Sequence, residues 1–230
     1  MNIAIILAAG SGLRMGSNIP KQFINVNNKP LMIYPLETFS ICEEIDEIII
    51  VTSKQHINEV KGYISQFNIT KVKDVIEGGL TRQESVFNAL TYLKNNNVNP
   101  YDNILIHDSA RVLVSNEIIK NNINALTKYN AVDSVLPMTD SCIQSLDGTK
   151  ITSLLKRSEL YLSQTPQSFK FNTIYKAHEN IKNLKNFEIT DDCSLVLKMN
   201  EDVYLVEGSK LNFKVTTKED LLLLESLLKK

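Results

Sequence analysis

Short apolar runs recur along this chain at residues 3–7, 47–52, 71–76, 103–106 and 131–138, with amphipathic stretches between them. Each run is rich in β-branched residues and too short for a buried helix, so each predicts a strand. The stretches at 30–41, 54–67 and 82–94, and the one after Ser115, carry apolar side chains at three- and four-residue spacing, the period of a helix with one buried face. Pro35 and Gly62 weaken the first two of these. Ser115 is placed to cap its helix, with Glu117 complementing the dipole. Such alternation predicts an α/β fold, with a mainly parallel, Rossmann-like sheet as the middle of three layers. Sheets of this kind bind ligands beyond the C-terminal ends of their strands. The unusual residues of this chain gather there.

The first run ends in Ala8, Ala9, Gly10, Ser11 and Gly12, and Arg14 and Lys21 follow closely. Three of the eight glycines (Gly10, Gly12 and Gly16) fall in this one loop. Backbone N–H groups at the end of a buried strand, beside two cations, make a phosphate cradle. The dinucleotide fingerprint does not fit, because Met15 stands where its third glycine belongs. The triphosphate loop of ATPases fails as well, since no hydroxyl residue follows Lys21. A net charge of −1 offers no general attraction for nucleic acid or acidic membranes, so anion binding has to be local.

Only four of the 25 basic residues are arginines: Arg14, Arg82, Arg111 and Arg157. A chain that otherwise uses lysine keeps arginine where a planar, multi-donor fork is needed. Cys42, Cys142 and Cys193 are odd in number and lack metal spacing, as in a reducing cytoplasm. The start shows no basic and apolar leader, and no apolar run has the length of a membrane span. A single cytoplasmic domain over residues 1–230 is expected, with neither nucleic acid nor membrane as partner.

The alternation breaks after Asp140. Residues 142–155 are β-prone around Asp147-Gly148, a hairpin turn signal. A protruding arm at about 141–157 is expected, folded back on its own sheet or pairing two copies of the chain. Beyond it, helices are expected at 172–181, at 190–198 and at 218–228. Extended stretches are expected at 203–206 and 212–216.

Residues 7–16, LAAGSGLRMG, and 20–23, PKQF, resemble the signature of the 2-C-methyl-D-erythritol 4-phosphate cytidylyltransferases and the related ribitol-5-phosphate cytidylyltransferases. The likeness recurs at Gly78-Gly79-x-x-Arg82-x-x-Ser85-Val86, His107-Asp108-x-Ala110-Arg111, Gln164-Thr165-Pro166-Gln167-x-Phe169, Thr190-Asp191 and Lys214-x-Thr216. It implies a homodimeric enzyme that transfers CMP from CTP to a polyol phosphate with Mg²⁺. It further implies that Ala8, Ala9, Gly10, Ser11, Gly12, Gly79, Arg82, Ser85, Asp108 and Ala110 bind CTP. Arg14, Lys21 and Lys214 would be catalytic, and Asp108 would hold the metal. Arg111, Ser141, Thr165 and Thr190 would take the acceptor, with Arg157 reaching in from the neighbouring subunit. His107 is expected to be structural.

Ser163 and the run from Thr190 to Ser194 lean toward the methylerythritol branch, and Tyr161 toward the ribitol branch. The resemblance thus implies 2-C-methyl-D-erythritol 4-phosphate as acceptor, in isoprenoid precursor synthesis, with ribitol 5-phosphate or another polyol phosphate of surface polysaccharide as the alternative. Ser141, Val112 and Phe213 depart from the common pattern. Two other classes stay open: a sugar-phosphate nucleotidyltransferase using another base, and a nucleotide-binding regulator without turnover.

Overall fold

A computed structural model describes residues 1–10, 19–180 and 190–229. The main sheet contains strands β1 (Asn2–Ala8), β2 (Glu47–Thr52), β3 (Val72–Glu77), β4 (Asn103–Asp108), β5 (Ala131–Pro137), β6 (Tyr161–Lys170) and β7 (Tyr204–Glu207). Their order across the sheet is β7-β5-β6-β4-β1-β2-β3. Pairing is parallel except at β6, which runs antiparallel to both β4 and β5. Central β1 sets Ile5 opposite Ile49 on one side and Ile106 on the other. From β1 the sheet grows toward β2 in one direction and β4 in the other. Its C-terminal end is thus a topological switch point, where a crevice opens.

The period-two alternation of β1 divides the core. Ala4 and Ile6 pack on one face with Leu36 and Phe39 of α1 (Ile33–Ile41), Val60 of α2 (Ile57–Gln66) and Ile118 and Ile119 of α4 (Asn116–Ala125). Ile3 and Ile5 pack on the other, with Val86 and Leu90 of α3 (Arg82–Asn95), Ile174 of α5 (Phe171–Glu179) and Leu195 of α6 (Asp192–Lys198). Full burial of each such side chain stabilises by about 1.5–3 kcal/mol, which makes a one-residue slip in β1 prohibitive. The C-terminal helix α7 (Lys218–Leu228) starts at a capping box of Thr217 and Asp220.

Four elements differ from expectation. Helix α1 begins at Ile33, because Lys29–Pro30 pairs instead with Asn25–Val26 across the left-handed residues Asn27 and Asn28. Strand β4 runs on through His107 and Asp108, which pair with Ile6 and Leu7. Strand β6 was not expected at all. Residues 212–216 form no strand; Val215 N–H donates to the Ala110 carbonyl at 2.9 Å, and the Asn212 carbonyl accepts from Arg111.

Ile143–Gln144 and Ser153–Leu154 form a separate antiparallel ladder, with Gly148 at φ 72° in the loop between them. Ile143, Leu146, Ile151 and Leu154 are exposed on this segment.

Candidate active site

A cavity of about 560 Å³ opens beyond the C-terminal ends of β1 and β4. Ala9 and Gly10 form its floor after β1. Ala8 itself is buried, and its carbonyl accepts from Gln22 Nε2 at 2.7 Å and Thr52 Oγ1 at 3.2 Å. These two side chains end the β1 ladder and turn the chain outward. Ser11, Gly12 and Arg14 lie outside the described residues.

Lys21 enters the cavity from a 3₁₀ turn, Lys21–Phe23, which Pro20 opens with its carbonyl 2.9 Å from Phe23 N. The Gln22 carbonyl accepts from Met32 N–H at 3.1 Å, so the turn is pinned through both its side chain and its backbone. Lys21 Nζ reaches the Val215 carbonyl at 3.3 Å.

The Gly78-Gly79 turn supplies a second wall. Gly79 N–H donates to Ser85 Oγ at 3.1 Å, and Ser85 in turn donates to the Thr81 carbonyl at 2.9 Å. A Cβ on Gly79 would lie 2.2 Å from Glu84 Cβ, so only glycine lets this turn pack on α3. Thr81 caps α3 by accepting from Glu84 N–H at 3.1 Å.

Asp108 is the one carboxylate among the described lining residues. Its Oδ2 lies 2.6 Å from Lys214 Nζ, and its Oδ1 lies 3.4 Å from Arg82 Nε. Burial alone would lift this carboxyl, but Arg82 and Lys214 outweigh it and hold Asp108 well below the usual carboxylate range. Arg82 Nη1 donates to Asp192 Oδ2 at 2.7 Å, and the two carboxylates keep its guanidinium firmly charged against the cost of burial. The described lining thus sets three cations, Lys21, Arg82 and Lys214, against a single anion. It contains no histidine or cysteine. Such a cavity suits a polyanion and offers no nucleophile–base relay.

Under Asp108 lies a hydrogen-bond chain that fixes a tautomer. His107 Nε2 is 3.1 Å from the Arg111 carbonyl, which can only accept, so Nε2 carries the proton. Thr165 Oγ1 therefore donates to the bare Nδ1 at 3.0 Å and accepts from Asp108 N–H at 3.1 Å. The β6 register breaks between Ser163 and Gln167, and this irregularity aims Thr165 at the site. Burial pushes the His107 imidazole down to about 4, so the ring is neutral.

That burial links stability to pH. Ordinary imidazole titrates near 6.5, so between 6.5 and about 4 the unfolded chain binds more protons than the folded one. His107 alone should thus cost about 3 kcal/mol of stability as pH falls through that window. Buried Asp133 acts in the opposite sense: burial raises it from 3.8 to about 6, so the folded chain takes up its proton first. Asp133→Asn removes that offset. Without divalent metal, its denaturation midpoint should fall more steeply from pH 6.5 to pH 4 than the parent's. Parallel curves would mean that Asp133 is not held above its ordinary value in the folded chain.

The predicted acceptor residues are more scattered. Arg111 donates to the carbonyls of Asn212 at 2.9 Å and Ser163 at 3.2 Å. Exposed Arg157 donates to the Thr139 carbonyl at 3.0 Å, and Ser141 and Thr190 are exposed. None of these four, nor Thr165, lines the cavity, whereas Ala9, Gly10, Gly79, Arg82, Ser85, Asp108 and Ala110 all do. Sequence reasoning missed Gln22 as the clamp on β1 and Asp192 as the partner of Arg82. The one signal for Asp192 was its place in the first turn of a short helix, which reads as ordinary dipole complementation.

Residues 2–230 match the family model described as IspD, 2-C-methyl-D-erythritol 4-phosphate cytidylyltransferase. The chain is 42% identical over 228 residues to the 2-C-methyl-D-erythritol 4-phosphate cytidylyltransferase of Clostridium perfringens (strain SM101 / Type A), covering 99% of this chain and 98% of the relative. It is 40% identical to that of Clostridium botulinum (strain ATCC 19397 / Type A), covering 100% and 98%. The crystal structure of 4-diphosphocytidyl-2C-methyl-D-erythritol synthase from Anaerococcus prevotii superposes with a TM-score of 0.84 at 30% identity, covering 100% of this chain and 99% of that one. A family match over nearly the whole length, together with a cationic cavity at the sheet's switch point, makes this chain a member of the 2-C-methyl-D-erythritol 4-phosphate cytidylyltransferase family.

Proposed function

We propose that this chain transfers CMP from CTP to 2-C-methyl-D-erythritol 4-phosphate, releasing pyrophosphate, in isoprenoid precursor synthesis. The observation that supports this most is the convergence of Lys21, Arg82 and Lys214 around one ionised carboxylate, Asp108. The relatives are named for this acceptor, so ribitol 5-phosphate becomes a control.

The acceptor's phosphate oxygen is already anionic at neutral pH and attacks the α-phosphorus of CTP directly. A new P–O bond forms as the bond to the bridging oxygen breaks, and the leaving pyrophosphate takes the electron pair. No proton has to move, which suits a lining without a general base. The chain's task is to bring two anions together and meet the charge that develops. Arg14, Lys21 and Lys214 bind the triphosphate, along with backbone from Ala8 to Gly12. Gly79 and Ser85 border the cytosine, Arg82 supports that wall, and Ala110 approaches the ribose.

Asp108 suits Mg²⁺, since a permanently ionised carboxylate faces the cavity and such sites combine one or two carboxylates with substrate phosphates and water. The bound ion would neutralise phosphate charge as a Lewis acid. Among the described residues no group of three histidine, cysteine or acidic side chains could hold a metal by itself, so the nucleotide is expected to complete the shell. Arg111, Ser141, Thr165 and Thr190 serve the acceptor side, Thr165 first by holding the Asp108 backbone.

Residues 1–230 act as a single domain in a homodimer joined through the segment at about 141–157, whose exposed apolar side chains suit a second copy. Arg157 of that copy grips the acceptor phosphate. Buried Cys42 and Cys193 with free thiols fit a cytoplasmic setting, and no described helix is long and apolar enough to cross a membrane.

Pyrophosphate release with CTP should require methylerythritol phosphate. Turnover with ribitol 5-phosphate alone, or with UTP in preference to CTP, would overturn the assignment. In the same assay Arg157→Ala should raise the acceptor KM by about tenfold or more, the cost of one charge-assisted hydrogen bond. CTP binding weakened to the same degree would contradict a shared site.

A further inference from the structure

Arg82 stands between two carboxylates and treats them unequally. Its contact with Asp192 at 2.7 Å is a full charge-assisted bond, while its contact with Asp108 at 3.4 Å is at the limit of one. Asp192 is completely buried and fixed on every side. Its Oδ1 accepts from His178 Nε2 at 3.0 Å, and its N–H donates to Gln167 Oε1 at 3.1 Å. Gln167 is held in turn, because its Nε2 donates to Asp133 and Asp191, each at 3.1 Å. The position of Arg82 is therefore set from outside the cavity by a carboxylate that never meets the ligand.

We propose that Asp192 is a positioning residue that sets the divalent-cation requirement of the site by holding Arg82 back from Asp108. The inference rests on Asp108 being the metal's protein ligand. With Asp192 neutral, Asp108 is the one anionic partner left to Arg82 within hydrogen-bond reach among the described residues. Both Asp108 oxygens are then bound to cations, Lys214 on one and Arg82 on the other. A divalent ion must displace one of them and also faces an extra uncompensated positive charge. A triphosphate arriving without metal meets that same charge as an attraction. Loss of Asp192 thus pushes the two ligands in opposite directions, whereas a merely structural defect weakens both.

The test is calorimetric CTP binding to the full chain, in EDTA and across a Mg²⁺ titration. In Asp192→Asn the Mg²⁺ concentration for half-maximal effect should rise about tenfold to a hundredfold, the range seen when the partners behind a metal ligand are lost. CTP binding in EDTA should be unchanged or tighter. Arg82→Gln removes the competing cation and should move the metal the other way, lowering the half-effect concentration while weakening CTP in EDTA; it also serves if Asp192→Asn does not fold. An unchanged metal response in Asp192→Asn, or equal weakening of both ligands, overturns the proposal, and so does a raised requirement in Arg82→Gln. A parent chain indifferent to Mg²⁺ would sink the metal assignment of Asp108 and this inference with it. A metal-dependent parent beside an unaltered Asp192→Asn would sink the inference alone.

Discussion

Turnover should fall by about a hundredfold or more when Lys21 is replaced by alanine, the scale expected when a donor aimed at transition-state charge is lost. Lys21 sits on a turn that Gln22 ties to Ala8 and Met32, so its backbone is positioned before any ligand arrives. A side chain fixed in this way contributes most where charge builds up during the reaction, so kcat should drop more than the KM for CTP rises. The residue is only partly buried, so the melting temperature should move far less than kcat. Near-normal kcat in the pyrophosphate-release assay, with intact folding by circular dichroism, would remove Lys21 from the mechanism.

Asp108→Asn should be equally severe for a different reason. The amide keeps the shape of the carboxylate but loses its charge, so the proposed metal ligand is lost and Lys214 loses its anion. Turnover should fall at least a hundredfold, and added Mg²⁺ should restore little of it. Stability should drop by only about 1 kcal/mol, because Lys214 is partly exposed and Arg82 keeps its stronger bond to Asp192. A variant that unfolds would place Asp108 in the scaffold, and one that keeps the parent's Mg²⁺ response would rule it out as the ligand.

Much of the fold was legible because the relevant side chains are apolar and periodic. EIIIVT at β2 is a nearly unbroken apolar run, and α3, α4 and α7 repeat apolar residues at helical spacing between polar ones. Strand β6 was hidden by its composition. Ser163, Gln164, Thr165, Pro166, Gln167 and Ser168 show no apolar alternation, yet Gln164 through Ser168 are buried in the sheet. They are held there by polar pairs rather than apolar contact: Ser168 donates to Asn122 Oδ1 at 2.9 Å, and Ser134 donates to the Pro166 carbonyl at 2.7 Å. No local pattern reports partners that lie in other strands and helices.

The site divides in the same way. Glycines and cations stand out by type and clustering, and the nucleotide wall could be drawn from them. Asp192 and Gln22 act through partners distant in sequence, so their neighbours say nothing of their roles. For Arg111 the residue was singled out, but its backbone carbonyl partners at Asn212 and Ser163 became visible only in three dimensions.

The contact from Lys21 to the Val215 carbonyl spans 194 positions, and the Lys214–Asp108 pair spans 106. Lys21 and Lys214, two of the three described cations that line the cavity, therefore belong to segments made at opposite ends of synthesis. A chain that has assembled β1 to β4 owns the sheet's crevice with Lys21 and Arg82 but still lacks Lys214, the described cation nearest Asp108. Full nucleotide affinity is thus expected only of the finished polypeptide, and a ligand that prefers that state stabilises it by mass action. CTP in the cell would act as a selective trap, drawing nascent molecules through their last docking step and leaving incomplete ones unprotected.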